Sequence, residues 1–123
     1  MTTWAAIEDV ARSLAGISLN GKPVPVYDYI VRPGDAPRPC ICINYITTTL
    51  TDHQLQIEAY IGASDGNVRE AQVVSMALRD VLDVKIREAG YGATGGTVSD
   101  RVYDRELDAW VLQFPILVPH TDY

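Results

Sequence analysis

What this chain is short of narrows its function first. It has one phenylalanine, two cysteines and two histidines in 123 residues. No apolar run approaches the roughly 18 residues that a bilayer-spanning helix requires. Its first residues, Met1-Thr2-Thr3-Trp4, lack the basic patch and apolar segment of a secretory signal, so a cytosolic site of synthesis is expected. Basic residues are in deficit, ten against sixteen acidic, for a net charge of −6. A free nucleic-acid binder needs the opposite balance. Cys40 and Cys42 stand one residue apart on an expected strand and share a face. His53 and His120 are the only histidines and neither lies at ligand spacing, so the cysteines read as small buried hydrophobes and no metal is expected.

What is present is an ordinary globular composition, 47% hydrophobic and 21% charged. That is enough chain for one domain over residues 1–123, with 119–123 a loose tail. The stretch His53–Ala89 organises the rest. Leu55, Ile57, Ala59 and Ile61 alternate with Gln54, Gln56, Glu58 and Tyr60, which makes a strand with one apolar and one polar face. Gly62 to Asn67 breaks the chain and offers Ser64, Asp65 or Asn67 as a helix cap. From Val68 the period becomes helical, with Val68, Ala71, Val74, Leu78, Val81, Leu82, Ile86 and Ala89 on one stripe and Gly90 as the stop. A helix from Val68 to Ala89 is about 33 Å long at 1.5 Å per residue, so the other elements must pack along it.

Before that stretch, Thr2 or Thr3 caps a short helix to about Ala15, with Trp4, Ile7, Val10, Ala11 and Leu14 as its apolar stripe. Asn20-Gly21 is a turn signal between Ile17–Leu19 and Lys22–Val24. Pro25–Val31 reads as a strand. Arg32 to Pro39, with three prolines and a glycine in eight residues, reads as a stiff exposed loop. Cys40–Thr47 is apolar on both faces and is expected to be a central strand. After the long helix come a glycine-rich connection, a strand over Val98–Arg105 and a last strand over Ala109–Val118. The last strand has Trp110, Leu112, Phe114, Ile116 and Val118 on one face. Pro115 cannot donate to a ladder, which places that end at an edge or a bulge. The order is α-β-β-β-α-β-β: an α+β domain whose mainly antiparallel sheet packs against one long helix and a short N-terminal helix.

Candidate chemistry is thin. Gly90-Tyr91-Gly92-Ala93-Thr94-Gly95 spells a dinucleotide loop, but a phosphate cradle needs a strand before it and a helix N-terminus after it. Here that order is reversed, and no cofactor is expected. Asp100, Asp104, Glu106 and Asp108 crowd the last hairpin, yet Arg101 and Arg105 are interleaved with them, as on a solvated, charge-balanced hairpin. His53, Ser64 and His120 have no local nucleophile motif around them. No catalytic residue is assigned. One feature exceeds what a core helix needs: a second apolar line, Val73, Met76, Ala77 and Val84, on the long helix away from its main stripe. Either the helix is sandwiched within its own domain, or this line is a subunit interface.

The layout resembles the tail terminator (tail completion) family of long-tailed bacteriophages. The resemblance is carried by the Trp4–Leu14 helix, the strand Val26-Tyr27-Asp28, the proline-rich loop and the strand Ile41-Cys42-Ile43-Asn44-Tyr45. It continues through His53–Tyr60, the helix entered through Asn67-Val68-Arg69-Glu70-Ala71, and the closing strand Trp110-Val111-Leu112-Gln113-Phe114. It covers nearly the whole chain but rests on no invariant motif. It implies a virion protein assembled in the host cytoplasm: a homo-oligomeric ring, six-fold by family expectation, on the head-proximal end of the tail tube. Such a ring stops tube polymerisation and docks the head connector. Its partners are the tail tube protein and the connector, with DNA only passing through a lumen whose acidic balance repels it. Arg32, Asp35, Arg38, Tyr91 and Thr94, on two loops, become candidate partner contacts. The readings from other classes are another neck protein, a small enzyme built around His53, and a monomeric binding module.

Overall fold

Thr2 starts the first helix. In the computed structural model, which describes residues 2–19, 21–29, 38–62, 68–93, 101–105 and 109–119, the Thr2 Oγ1 accepts the Ala5 N–H at 3.1 Å. Helix α1 then runs Thr3–Leu14. The cap satisfies an N–H that has no partner inside the helix. Ile7, Val10 and Leu14 are buried as their spacing requires, and Ala6 joins them. Trp4 departs from expectation and is 54% exposed. A stripe centred on Val10 leaves Trp4 roughly a third of a turn round the helix, outside it. Thr2→Ala is expected to cost about 1 kcal/mol in urea denaturation; an unchanged midpoint would mean that the cap contributes nothing.

A small antiparallel hairpin follows, β1 (Ser18–Leu19) with β2 (Lys22–Pro23). Gly21 in its turn has a φ of 76°, a conformation glycine adopts without strain. The main sheet contains β3 (Val26–Tyr27), β4 (Cys40–Thr48), β5 (Asp52–Gly62), β6 (Gly92–Ala93), β7 (Arg101–Asp104) and β8 (Ala109–Pro119). Its order is β3-β4-β5-β8-β6, with β7 also on β8. All pairings are antiparallel except β3–β4, which is parallel. The expected α+β class holds. Three details differ from expectation. The first strand ends at Tyr27, with Ile30 and Val31 outside the described residues. An additional short strand, β6, precedes the penultimate one, of which Arg101–Asp104 is described and Val98 to Asp100 lie outside the described residues. Pro119 belongs to β8 rather than to a tail.

β5 and β8 pair along their full length, so their residues form the middle of the sheet. Ile57 stands opposite Ile43 on one side and Phe114 on the other, and Ala59 lies between Ile41 and Leu112. Helix α2 (Val68–Ala89) and α1 cover this face. Leu78, Leu82 and Ile86 of α2 are buried against it, together with Ile7, Val10 and Leu14 of α1. Among the described residues no helix is long and apolar enough to cross a membrane. α2 ends as its glycine requires: Gly90 has a φ of 79°. Its N–H donates to the Arg87 carbonyl at 3.0 Å, and the Tyr91 N–H donates to that of Ile86 at 3.4 Å. This reciprocal pair of bonds is a Schellman cap.

Two strand expectations need correction. β4 is not central along its whole length. Cys40 to Ile43 are buried, but from Tyr45 onward it is exposed; among the described residues its outer edge is paired only at Ile41 and Cys42, by β3. A register shift between Tyr45 and Thr47 places Ile46 in a bulge, a common way of blunting an open edge. Pro115 lies on an inner strand, opposite Gln56. Among the described residues the outer side of β8 pairs β6 with Ile116 and Leu117 and β7 with Ala109 to Leu112, and none pairs with Pro115 there, which fits its missing N–H.

Candidate interaction surface

The outward line of α2 lies opposite the helix's buried stripe. Val73, Met76 and Val84 are 53%, 56% and 52% exposed, and Ala77 is exposed beside them. Among the described residues no second layer covers them. Their period explains the geometry: positions 73, 77, 80 and 84 repeat every three or four residues, half a turn from Leu78 and Leu82. Asp80 interrupts the line and pairs with Arg79 at 3.6 Å, and Arg87 pairs with Asp83 at 2.9 Å beside it. An exposed i,i+4 helix pair such as Arg87 with Asp83 contributes only about 0.3–0.5 kcal/mol. Beside Val84 opens a shallow groove of about 450 Å³, lined by Asp80, Val81, Val84, Lys85 and Glu88.

A second apolar surface, which the sequence reading missed, gathers at the β4–β5 hairpin end. Leu50 at its tip is 89% exposed, and Tyr45 and Ile46 are about half exposed. The first turn of α1 is tied to this end: the Thr3 and Thr48 hydroxyls are 3.0 Å apart, and each lies 3.3 Å from His53 Nδ1. Exposed Trp4 therefore belongs to the same end. The alternation pattern could not reveal this surface, because bulged and turn residues leave the strand period.

Of the residues considered for chemistry, His53, Gly90 and Gly92 are described and have structural places. His53 is buried and joins α1 to the sheet through the two threonine hydroxyls, a packing role. Gly90 caps α2 and Gly92 lies in β6, so the glycine-rich loop begins with a helix stop and a strand. Of the last-hairpin carboxylates, only the backbone of Asp104 is described, paired with Ala109. Asp100, Glu106, Asp108, Ser64 and His120 lie outside the described residues. Among the described residues no group of three or more histidine, cysteine or acidic side chains stands close enough to hold a metal.

Two of the five candidate loop contacts are engaged within the subunit. The Arg38 guanidinium lies 5.7 Å above the Tyr60 ring, a cation–π arrangement. The Tyr91 hydroxyl donates to Asp9 Oδ2 at 3.3 Å and lies 3.1 Å from the Ser13 hydroxyl, tying the end of α2 to α1. Arg32, Asp35 and Thr94 lie outside the described residues.

The sheet's reverse face holds a small second core of Cys40, Cys42, Tyr60 and Val111, with Tyr27 packed against it. Both thiols are buried, as the sequence led us to expect. Cys40 is pushed well above the ordinary thiol range, first by its hydrogen bond with Cys42 and then by burial. Burial also pushes the Tyr60 hydroxyl up, reinforced by the bond it donates to Glu58 at 2.7 Å. Gln56 donates to the other Glu58 oxygen at 2.8 Å. Tyr60 is the residue that breaks the polar series Gln54, Gln56, Glu58, and that break was the one signal of this cluster in the sequence.

No protein family, curated protein or solved structure matches the chain.

Proposed function

We propose that this chain is a ring-forming structural subunit of a virion. The ring caps the head-proximal end of a phage tail tube, stops its polymerisation and presents a docking surface to the head connector. The observation that carries this reading is the outward line of α2. A helix that serves one core has a polar back, whereas here three large apolar side chains stand more than half exposed, directly opposite the core stripe. A patch of this kind on a small domain is the mark of an interaction surface. The layout of the chain supplies the kind of assembly. The net charge of −6 supports a lumen through which DNA passes without adhering.

The test is light scattering coupled to size-exclusion chromatography over a concentration series, with negative-stain images of the large species. Wild-type protein is expected to form closed rings with an open centre, and tail tubes added to them are expected to stop elongating. Val73→Asp is expected to weaken assembly at least tenfold, because an aspartate buried at an interface without a partner costs more than about 1.4 kcal/mol. Its circular dichroism and melting temperature are expected to match wild type, since Val73 takes no part in the core. If Val73→Asp unfolds instead, the line belongs to the subunit's own packing and the reading fails.

A further inference from the structure

We draw no further inference here: the strongest candidate, the exposed apolar surface patch that Leu50, Ile46, Tyr45 and Trp4 form at the β4–β5 hairpin end, carries nothing because nothing in the structure shows what covers it.

Discussion

Replacing Leu82 with alanine is expected to lower the unfolding free energy by about 3–5 kcal/mol. Leu82 is fully buried at the middle of the α2 stripe, with Leu78 one turn before it and Ile86 one turn after. It packs in the same core as Ile57 of β5 and Phe114 of β8. The helix cannot settle into the space left behind, because its C-terminal end is held by the cap at Gly90 and the Tyr91 hydroxyl, which reaches α1. A leucine-to-alanine change at such a site loses the transfer energy of the removed atoms and leaves most of the cavity open. Against a total stability of roughly 5–15 kcal/mol for a domain, that is a large fraction. The measurement is urea denaturation followed by circular dichroism and tryptophan fluorescence. A loss below about 1 kcal/mol would show that α2 is not docked through this stripe. Val73→Asp, on the other side of the same helix, is expected to move stability by no more than about 0.5 kcal/mol while it weakens assembly. The two substitutions separate the face that folds the subunit from the face assigned to its neighbour.

Where the chain is strongly periodic, sequence and structure agree. α2 runs between the expected residues, because Val68 to Ala89 repeats at helical spacing and Gly90 supplies the left-handed stop. β5 was legible from its alternation, except at Tyr60, which is buried on the reverse face beside two thiols. Trp4 was misplaced because composition marks it as a core residue, whereas its angular position on α1 puts it outside the stripe. The two faces of β4 look equally apolar in sequence. Only the pairing shows that β3 lies beside its first residues and, among the described residues, does not reach Tyr45 and Ile46. Parallel pairing of β3 with β4, and the place of Pro115 opposite Gln56 on an inner strand, depend on long-range register. Neither has a local signature. The outward line of α2 could be read from helical spacing alone. The hairpin surface needed the bulge and the tie from Thr3 to Thr48, which join segments far apart in the chain.

Stability is expected to fall steeply above pH 10, with the reverse-face core as a principal cause. Cys40 ionises near 9 and Tyr60 near 10 in an unfolded chain, and folding raises both. The sign follows from proton counting. Above these ordinary values the unfolded chain gives up its protons while the folded chain keeps them, so alkali favours unfolding. Below about pH 8 both states keep both protons, and the two groups leave stability unchanged with pH. Each fully engaged group lowers stability by about 1.4 kcal/mol per pH unit. From pH 10 to 11 the pair therefore removes about 2–3 kcal/mol, and Tyr91, raised mainly by burial, acts in the same direction. Tyr60→Phe keeps the ring beneath Arg38 but removes the ionisable hydroxyl, and Cys40→Ala removes the thiol. Each variant starts less stable at pH 7, because Glu58 loses a donor in the first and a small cavity opens in the second. The quantity to compare is therefore the slope and not the absolute value. Denaturation midpoints taken from pH 7 to 11 are expected to fall less steeply in either variant and least steeply in the double variant. A double variant as steep as wild type would mean that the reverse-face groups ionise freely in the folded chain, and that Cys40 and Tyr60 are not sealed from water as their packing implies.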